Sequence, residues 1–154
     1  MPSRRRSIAM TSAEVDAYLH GRRTMNIASI GPDGRVHLVA MWYGFTHDDA
    51  PAFWTYGRSQ KILNLQRDPR LTCIVESGDE YAQLRGVELV GTATILEDRD
   101  EVMAIGRSVF ERYNGEWSEG AATAVATMGA KRVAVRIDVE KVVSWDHTKL
   151  GGTY

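Results

Sequence analysis

Ala52-Phe53-Trp54-Thr55-Tyr56-Gly57-Arg58-Ser59-Gln60-Lys61-Ile62-Leu63-Asn64-Leu65-Gln66-Arg67 changes character halfway along. The first five residues are rich in the aromatic and β-branched types that favour a strand, and Ile62, Leu63 and Leu65 then supply the apolar stripe of a short helix over Gln60–Arg67. Ser59 is a favoured N-cap residue type. Lys61 falls in the helix's first turn, where roughly half a positive charge already resides, so a cation there is mildly destabilising. A bound anion would relieve this. Backbone N–H groups, the Ser59 hydroxyl and the charges of Arg58 and Lys61 suit a phosphate or carboxylate. An isolated Ser-x-Lys is equally what a solvated turn offers, so the neighbouring sequence has to decide.

Upstream, Thr11 and Glu14 form a capping-box pattern before Val15, Tyr18 and Leu19, which predicts a short amphipathic helix. Thr24–Ile30 and Arg35–Phe45 flank Gly31-Pro32-Asp33-Gly34, a turn that predicts a hairpin. With the polar turn His47-Asp48-Asp49-Ala50-Pro51, the strand Ala52–Tyr56 reads as the third of a meander. Downstream, Asp68-Pro69 stops the helix and Arg70–Glu76 reads as another strand. Gln83–Leu96 is a long strand whose Gly86 and Gly91 suit a bend or bulge in a curled sheet. Asp98 and Glu101 open a helix through Tyr113 that ends near Asn114-Gly115, Ala121–Met128 suits a further helix, and Arg132–Trp145 is a last strand. Five or six sequential strands without regular crossover helices predict a mainly β, α+β architecture, an antiparallel barrel with flanking helices.

The chain has 154 residues, 44% hydrophobic and 25% charged, with a net charge of -1, which fits one domain with a single core. That balance offers no general attraction for nucleic acid, and no apolar run reaches membrane-spanning length. Without a hydrophobic segment of signal-peptide type, the expected location is cytoplasmic. Residues 1–10 are expected to be flexible. Arg4-Arg5-Arg6 and Arg22-Arg23 are solvated clusters or partners for a charged ligand tail. Cys73, the single cysteine, has no disulfide partner and sits in an apolar run, so core packing is its expected role. His20, His37, His47 and His147 lack metal-ligand spacing, so no metal is expected. No Gly-x-Ser-x-Gly elbow and no Gly-x-Gly-x-x-Gly loop is present, which leaves covalent hydrolysis and a dinucleotide fold unsupported.

Several stretches, taken together, resemble the pyridoxamine-phosphate-oxidase-like split β-barrel flavoproteins, particularly the branch that uses deazaflavin coenzymes. They are Gly34–Tyr43, Phe53-Trp54-Thr55, Arg58–Leu65, Asp68-Pro69-Arg70 and Leu89–Ala93, and the closing segment from Trp145 to Tyr154 is similar to the tail of the deazaflavin branch. The resemblance covers nearly the whole chain and implies an antiparallel split β-barrel. It implies that Ser59 and Lys61 grip a coenzyme phosphate, flanked by Arg58 and Gln60, and that the backbone of Val39, Ala40, Met41 and Trp42 lines the coenzyme ring. Thr55 and Asn64 are weaker carry-overs that would serve equally as turn or cap residues. The resemblance further implies a homodimer with the coenzyme in the subunit groove, so that Trp145 and Lys149 would reach a partner's coenzyme; core or dimer packing accounts for Trp145 equally well. The strands Leu89–Ile95 and Val133–Val143 are expected to supply self-complementary surface. The implied activity is a reductase using coenzyme F420, an 8-hydroxy-5-deazaflavin, on a small conjugated or unsaturated molecule, with no catalytic residue identified. The alternatives are an FMN-dependent oxidoreductase or oxidase of the same fold, or a non-catalytic carrier of the coenzyme or of a tetrapyrrole.

Overall fold

The computed structural model describes residues 3–152, so Thr153 and Tyr154 of the closing segment, like residues 1 and 2, lie outside the described residues. Seven strands form one antiparallel sheet: β1 (Met25–Ile30), β2 (Val36–Met41), β3 (Gly44–Phe45), β4 (Pro51–Tyr56), β5 (Arg70–Ser77), β6 (Arg85–Leu96) and β7 (Arg132–Asp146). Their spatial order is β2-β1-β5-β6-β7-β4-β3. Among the described residues five α-helices accompany the sheet, α1 (Arg4–Ser7), α2 (Ser12–His20), α3 (Gln60–Arg67), α4 (Arg99–Tyr113) and α5 (Glu119–Gly129), with short 3-10 turns at Tyr81–Gln83 and His147–Leu150. This is a curled half-barrel with flanking helices.

The predicted strand over 35–45 is broken. Tyr43 is fully buried and its hydroxyl donates to the Leu19 carbonyl, while Trp42 lies flat on Tyr113 with ring centroids 4.6 Å apart. These long-range contacts pull the backbone out of the sheet. The chain therefore leaves one sheet edge at Met41 and rejoins the opposite edge as β3, which pairs with β4. The expected meander is corrected with it, since β4 pairs with β3 and β7 rather than with β2.

Elsewhere local signals are obeyed. Thr11 and Glu14 make a full capping box on α2, and Asp98 accepts from the N–H groups of Asp100 and Glu101 at the start of α4. Gly34 closes the β1–β2 turn at φ 81, a left-handed conformation that favours glycine. The long strand β6 shifts register between Val90 and Gly91, where an added Cβ would stand 2.0 Å from the Asp138 carbonyl oxygen. That bulge increases the local twist of the two longest strands.

Strand β4 is buried on both faces and divides the core. Phe53 packs inward with Met25, Ile27, Ile62, Val75 and Leu89, whereas Trp54 packs outward with Val102, Ile105, Val109 and Val125 of α4 and α5. Each such large side chain contributes about 1.5–3 kcal/mol through burial. The most exposed apolar residues of the sheet are Val36 and Leu38, on the edge strand β2.

Candidate functional site

At the end of β4 the chain turns through Gly57 and Arg58 into α3. Ser59 occupies the N-cap position in extended backbone, but its side chain makes no capping bond. This corrects the expectation of a conventional cap. Its hydroxyl lies instead 3.5 Å from the Thr55 hydroxyl, which also accepts a 2.9 Å hydrogen bond from the Lys61 ammonium. The Ile62 and Leu63 N–H groups return to the Ser59 carbonyl, leaving Gln60 and Lys61 to present the first-turn N–H groups that have no intrahelical acceptor. No acidic residue stands in that turn. Partial burial, and next the positive charge of Arg132, hold the Lys61 pKa below the ordinary lysine value. The corner is an electropositive patch with no countercharge among the described residues.

Asn64 belongs to the scaffold of this corner. It is fully buried, donates to the Ser29 hydroxyl at 3.1 Å and accepts from the Gln60 amide at 2.8 Å, which fastens α3 to β1. Arg58 is exposed.

The second part of the site is a cleft of about 340 Å³ where the end of β2 faces α4, α5 and the start of β7. Ala40, Met41 and Trp42 line it together with Trp54, Phe110, Met128 and Arg132. Val39 is half-buried against the barrel core. Because β2 is an edge strand, the backbone groups on its outer side have no sheet partner among the described residues. Trp54 is held rigidly: an added Cβ would stand 2.5 Å from its ring at Gly106 and 3.1 Å at Gly129, so both helices give up a side chain to seat the indole.

Arg132 joins the two parts. It pairs with Tyr56 across the β4–β7 ladder, and its guanidinium lies 4.9 Å from the Trp54 ring centroid and 4.8 Å from that of Tyr56. Its Nε is buried without a hydrogen-bond partner. Sequence reading missed this residue, because its only local signal is a charged position opening a strand and its neighbours come from β4, far away in sequence.

Trp145 and Lys149 are not brought to this corner within the chain. Twelve positions of β7 separate Trp145 from Val133, the partner of Thr55, which is roughly 40 Å of strand. There the Trp145 ring covers Gly86, and Lys149 donates to the Ala9 carbonyl and to Glu14. Asp16, His20 and Asp49 also gather at the surface with ligand atoms within 4.8 Å of one another. Both ring nitrogens of His20 are already engaged, Nδ1 with the Asp16 carbonyl and Nε2 with the Asp49 carboxylate, each at 2.9 Å. The cluster is accounted for as a hydrogen-bonded ion pair.

Residues 11–146 match the family model of pyridoxamine 5'-phosphate oxidase. A comparison with functionally curated proteins finds no match. Among solved structures, a conserved hypothetical protein from Mycobacterium tuberculosis is 41% identical, with 99% of this chain and 94% of that chain covered and a TM-score of 0.92. The fold is also similar to a protein named F420 reductase (22% identity, 82% and 94% covered, TM-score 0.65). It is likewise similar to HutZ, the heme storage protein from Vibrio cholerae (14% identity, 86% and 94% covered, TM-score 0.67). The family match spans most of the strands and helices described above, including the α3 corner and the cleft beside it, and the chain belongs to the pyridoxamine 5'-phosphate oxidase family.

Proposed function

We propose that this protein is an oxidoreductase that binds a phosphate-bearing flavin-type coenzyme, with coenzyme F420 the preferred form and FMN the alternative. The observation that carries this reading is the uncompensated cationic corner: Lys61, Ser59 and Thr55 converge at the start of α3 with no carboxylate among them. The donor set fits a phosphate, since an ammonium, a hydroxyl and first-turn N–H groups all favour an anion. In this reading Lys61 and Ser59 hold the phosphate, Arg58 and Gln60 flank it, and Asn64 keeps α3 in place. Val39, Ala40 and Met41 present edge-strand backbone, and Trp42 the backbone just beyond it, to a flat heterocycle. When bound, the coenzyme supplies the hydride chemistry. The chain's own residues orient the two reactants and narrow the water-filled space between them.

Membership of the family supports a homodimer, as does the exposure of Val36 and Leu38 at 63% and 66% on the β2 edge. Trp145 and Lys149, remote from the corner in their own chain, would then contribute to the groove of the partner. Among the described residues no helix is long and apolar enough to cross a membrane.

Titration of the purified protein with coenzyme F420 and, separately, with FMN, followed by coenzyme fluorescence, tests the reading. Saturable micromolar binding of F420, lost in Lys61→Ala, is the expected result. Binding of neither coenzyme would remove the reading, and saturable binding of FMN alone would move it to the flavin alternative.

A further inference from the structure

Most buried or half-buried cations of this chain are neutralised or tied to oxygen. Arg136 pairs with Asp48 and Asp138, Arg85 with Asp146 and Lys149 with Glu14, while Arg112 and Arg99 donate to backbone carbonyls. Arg132 differs. Among the described residues its side chain has no hydrogen-bond or ion-pair partner, its Nε is buried, and the Trp54 and Tyr56 rings take up its faces. Aromatic faces satisfy the cationic plane of a guanidinium but leave its N–H edge unpaired, and that edge has a fork geometry matched to a carboxylate. The cleft it borders is lined largely by apolar and aromatic side chains, among them Trp42, Trp54, Phe110 and Met128. Its volume of about 340 Å³ lies at the small end of the roughly 300–1,000 Å³ usual for ligand pockets.

We infer that this cleft binds a planar aromatic carboxylic acid of one or two fused rings, its carboxylate on Arg132 and its ring system between Trp42 and Trp54. Arg132 is the specificity-determining residue. It selects against neutral rings, because a carboxylate meets the guanidinium edge with two charged oxygens, whereas a neutral amide or ester offers it a single uncharged carbonyl oxygen. Phosphate chemistry is assigned to Lys61 on the other face of β4, which leaves Arg132 for a second anion. That the acid is a reactant rather than a bound ligand rests on the coenzyme reading above; its recognition by Arg132 does not.

The test uses 2-naphthoate as probe, with its neutral analogues 2-naphthamide and methyl 2-naphthoate, and follows quenching of tryptophan fluorescence. The expected result is saturable binding of the acid to the native protein, with both neutral analogues weaker by about tenfold or more, the scale of one charge-assisted hydrogen bond. Arg132→Gln reduces affinity for the acid by a similar factor, Arg132→Lys by less, and Lys61→Ala by under about threefold. Equal affinity for acid and neutral analogues, measured on the native protein alone, would overturn the inference whether or not the variants fold. So would an unchanged affinity in Arg132→Gln, or a loss that follows Lys61 instead of Arg132. Binding of naphthoate without binding of either coenzyme would keep Arg132 as the acid site while removing the redox reading.

Discussion

Lys61 and Thr55 are linked by a 2.9 Å hydrogen bond across the corner between β4 and α3, and no carboxylate takes part. A lysine so placed is restrained by a neutral acceptor and keeps its charge available for an incoming anion.

The first expectation is that Lys61→Ala weakens coenzyme binding by about 1.5–3 kcal/mol, the range of hydrogen bonds to charged groups. Fluorescence titration of the variant checks this, and an unchanged dissociation constant would remove Lys61 from the site.

The same residue should cost stability when no ligand is bound. Burial, then the charge of Arg132, depress its folded pKa, so the fold disfavours the ammonium it carries at neutral pH. For a depressed folded pKa, stability is fully present only above the unfolded value, near 10.4, and is lost as pH falls through the folded value. Lys61→Met should therefore raise the melting temperature of the ligand-free protein at neutral pH, with the gain shrinking as pH approaches 10. A lower melting temperature for Lys61→Met would show that the bond to Thr55 outweighs the desolvation.

Gly86 and Trp145 give a packing test. An added Cβ at Gly86 would stand 2.2 Å from the Trp145 ring, so Gly86→Ala must displace the indole. Overpacking of this kind costs about 1–3 kcal/mol. A urea midpoint equal to that of the native protein would mean that the ring is free to leave the glycine.

His20 carries a pH dependence of definite sign. Burial alone would lower its pKa, but bonds to the Asp16 carbonyl and the Asp49 carboxylate outweigh it and the net direction is upward. The contribution of the His20–Asp49 pair is thus complete below the unfolded value of about 6.5 and disappears as pH rises through the raised folded value. Asp49→Asn should lower the melting temperature at about pH 5.5 and leave it nearly unchanged at about pH 9. A difference independent of pH would show that the pair is held without charge.

Cys73 should be inert. It is almost fully buried in β5, and burial pushes its thiol up to about 12. Iodoacetamide at mildly alkaline pH should leave the native protein unlabelled and modify it once unfolded in guanidinium; rapid native labelling would mean that β5 opens locally.

What could be read from the sequence follows the range of the signals. The α2 capping box, the β1–β2 turn, the limits of α3 and the bulged β6 are written in residues a few positions apart, and all of them form. The break at Trp42-Tyr43 was invisible, because it is imposed by Leu19 and Tyr113, which only the fold brings near. Ser59 shows the limit within a single residue: its position at the start of α3 was legible, whereas its hydroxyl turns to Thr55 for reasons of tertiary structure. Lys61 was legible through its neighbours in the chain. Arg132 was not, since its aromatic neighbours Trp54 and Tyr56 reach it only through the β4–β7 pairing.

Gly106 lies in the interior of α4, where glycine costs roughly 0.5–1 kcal/mol relative to alanine. With Gly129 it fixes the Trp54 indole against two helix backbones, which no change of rotamer can move. The cleft thus has one fixed side, at Trp54, and one adjustable position. Met128, 48% exposed, is free to be exchanged for a smaller or larger side chain without disturbing the core, whereas Trp42, equally exposed, is tied to the core by its stacking on Tyr113. Divergence in ligand size within this fold would therefore accumulate at position 128, while Gly106, Gly129 and Trp54 would have to change together or not at all.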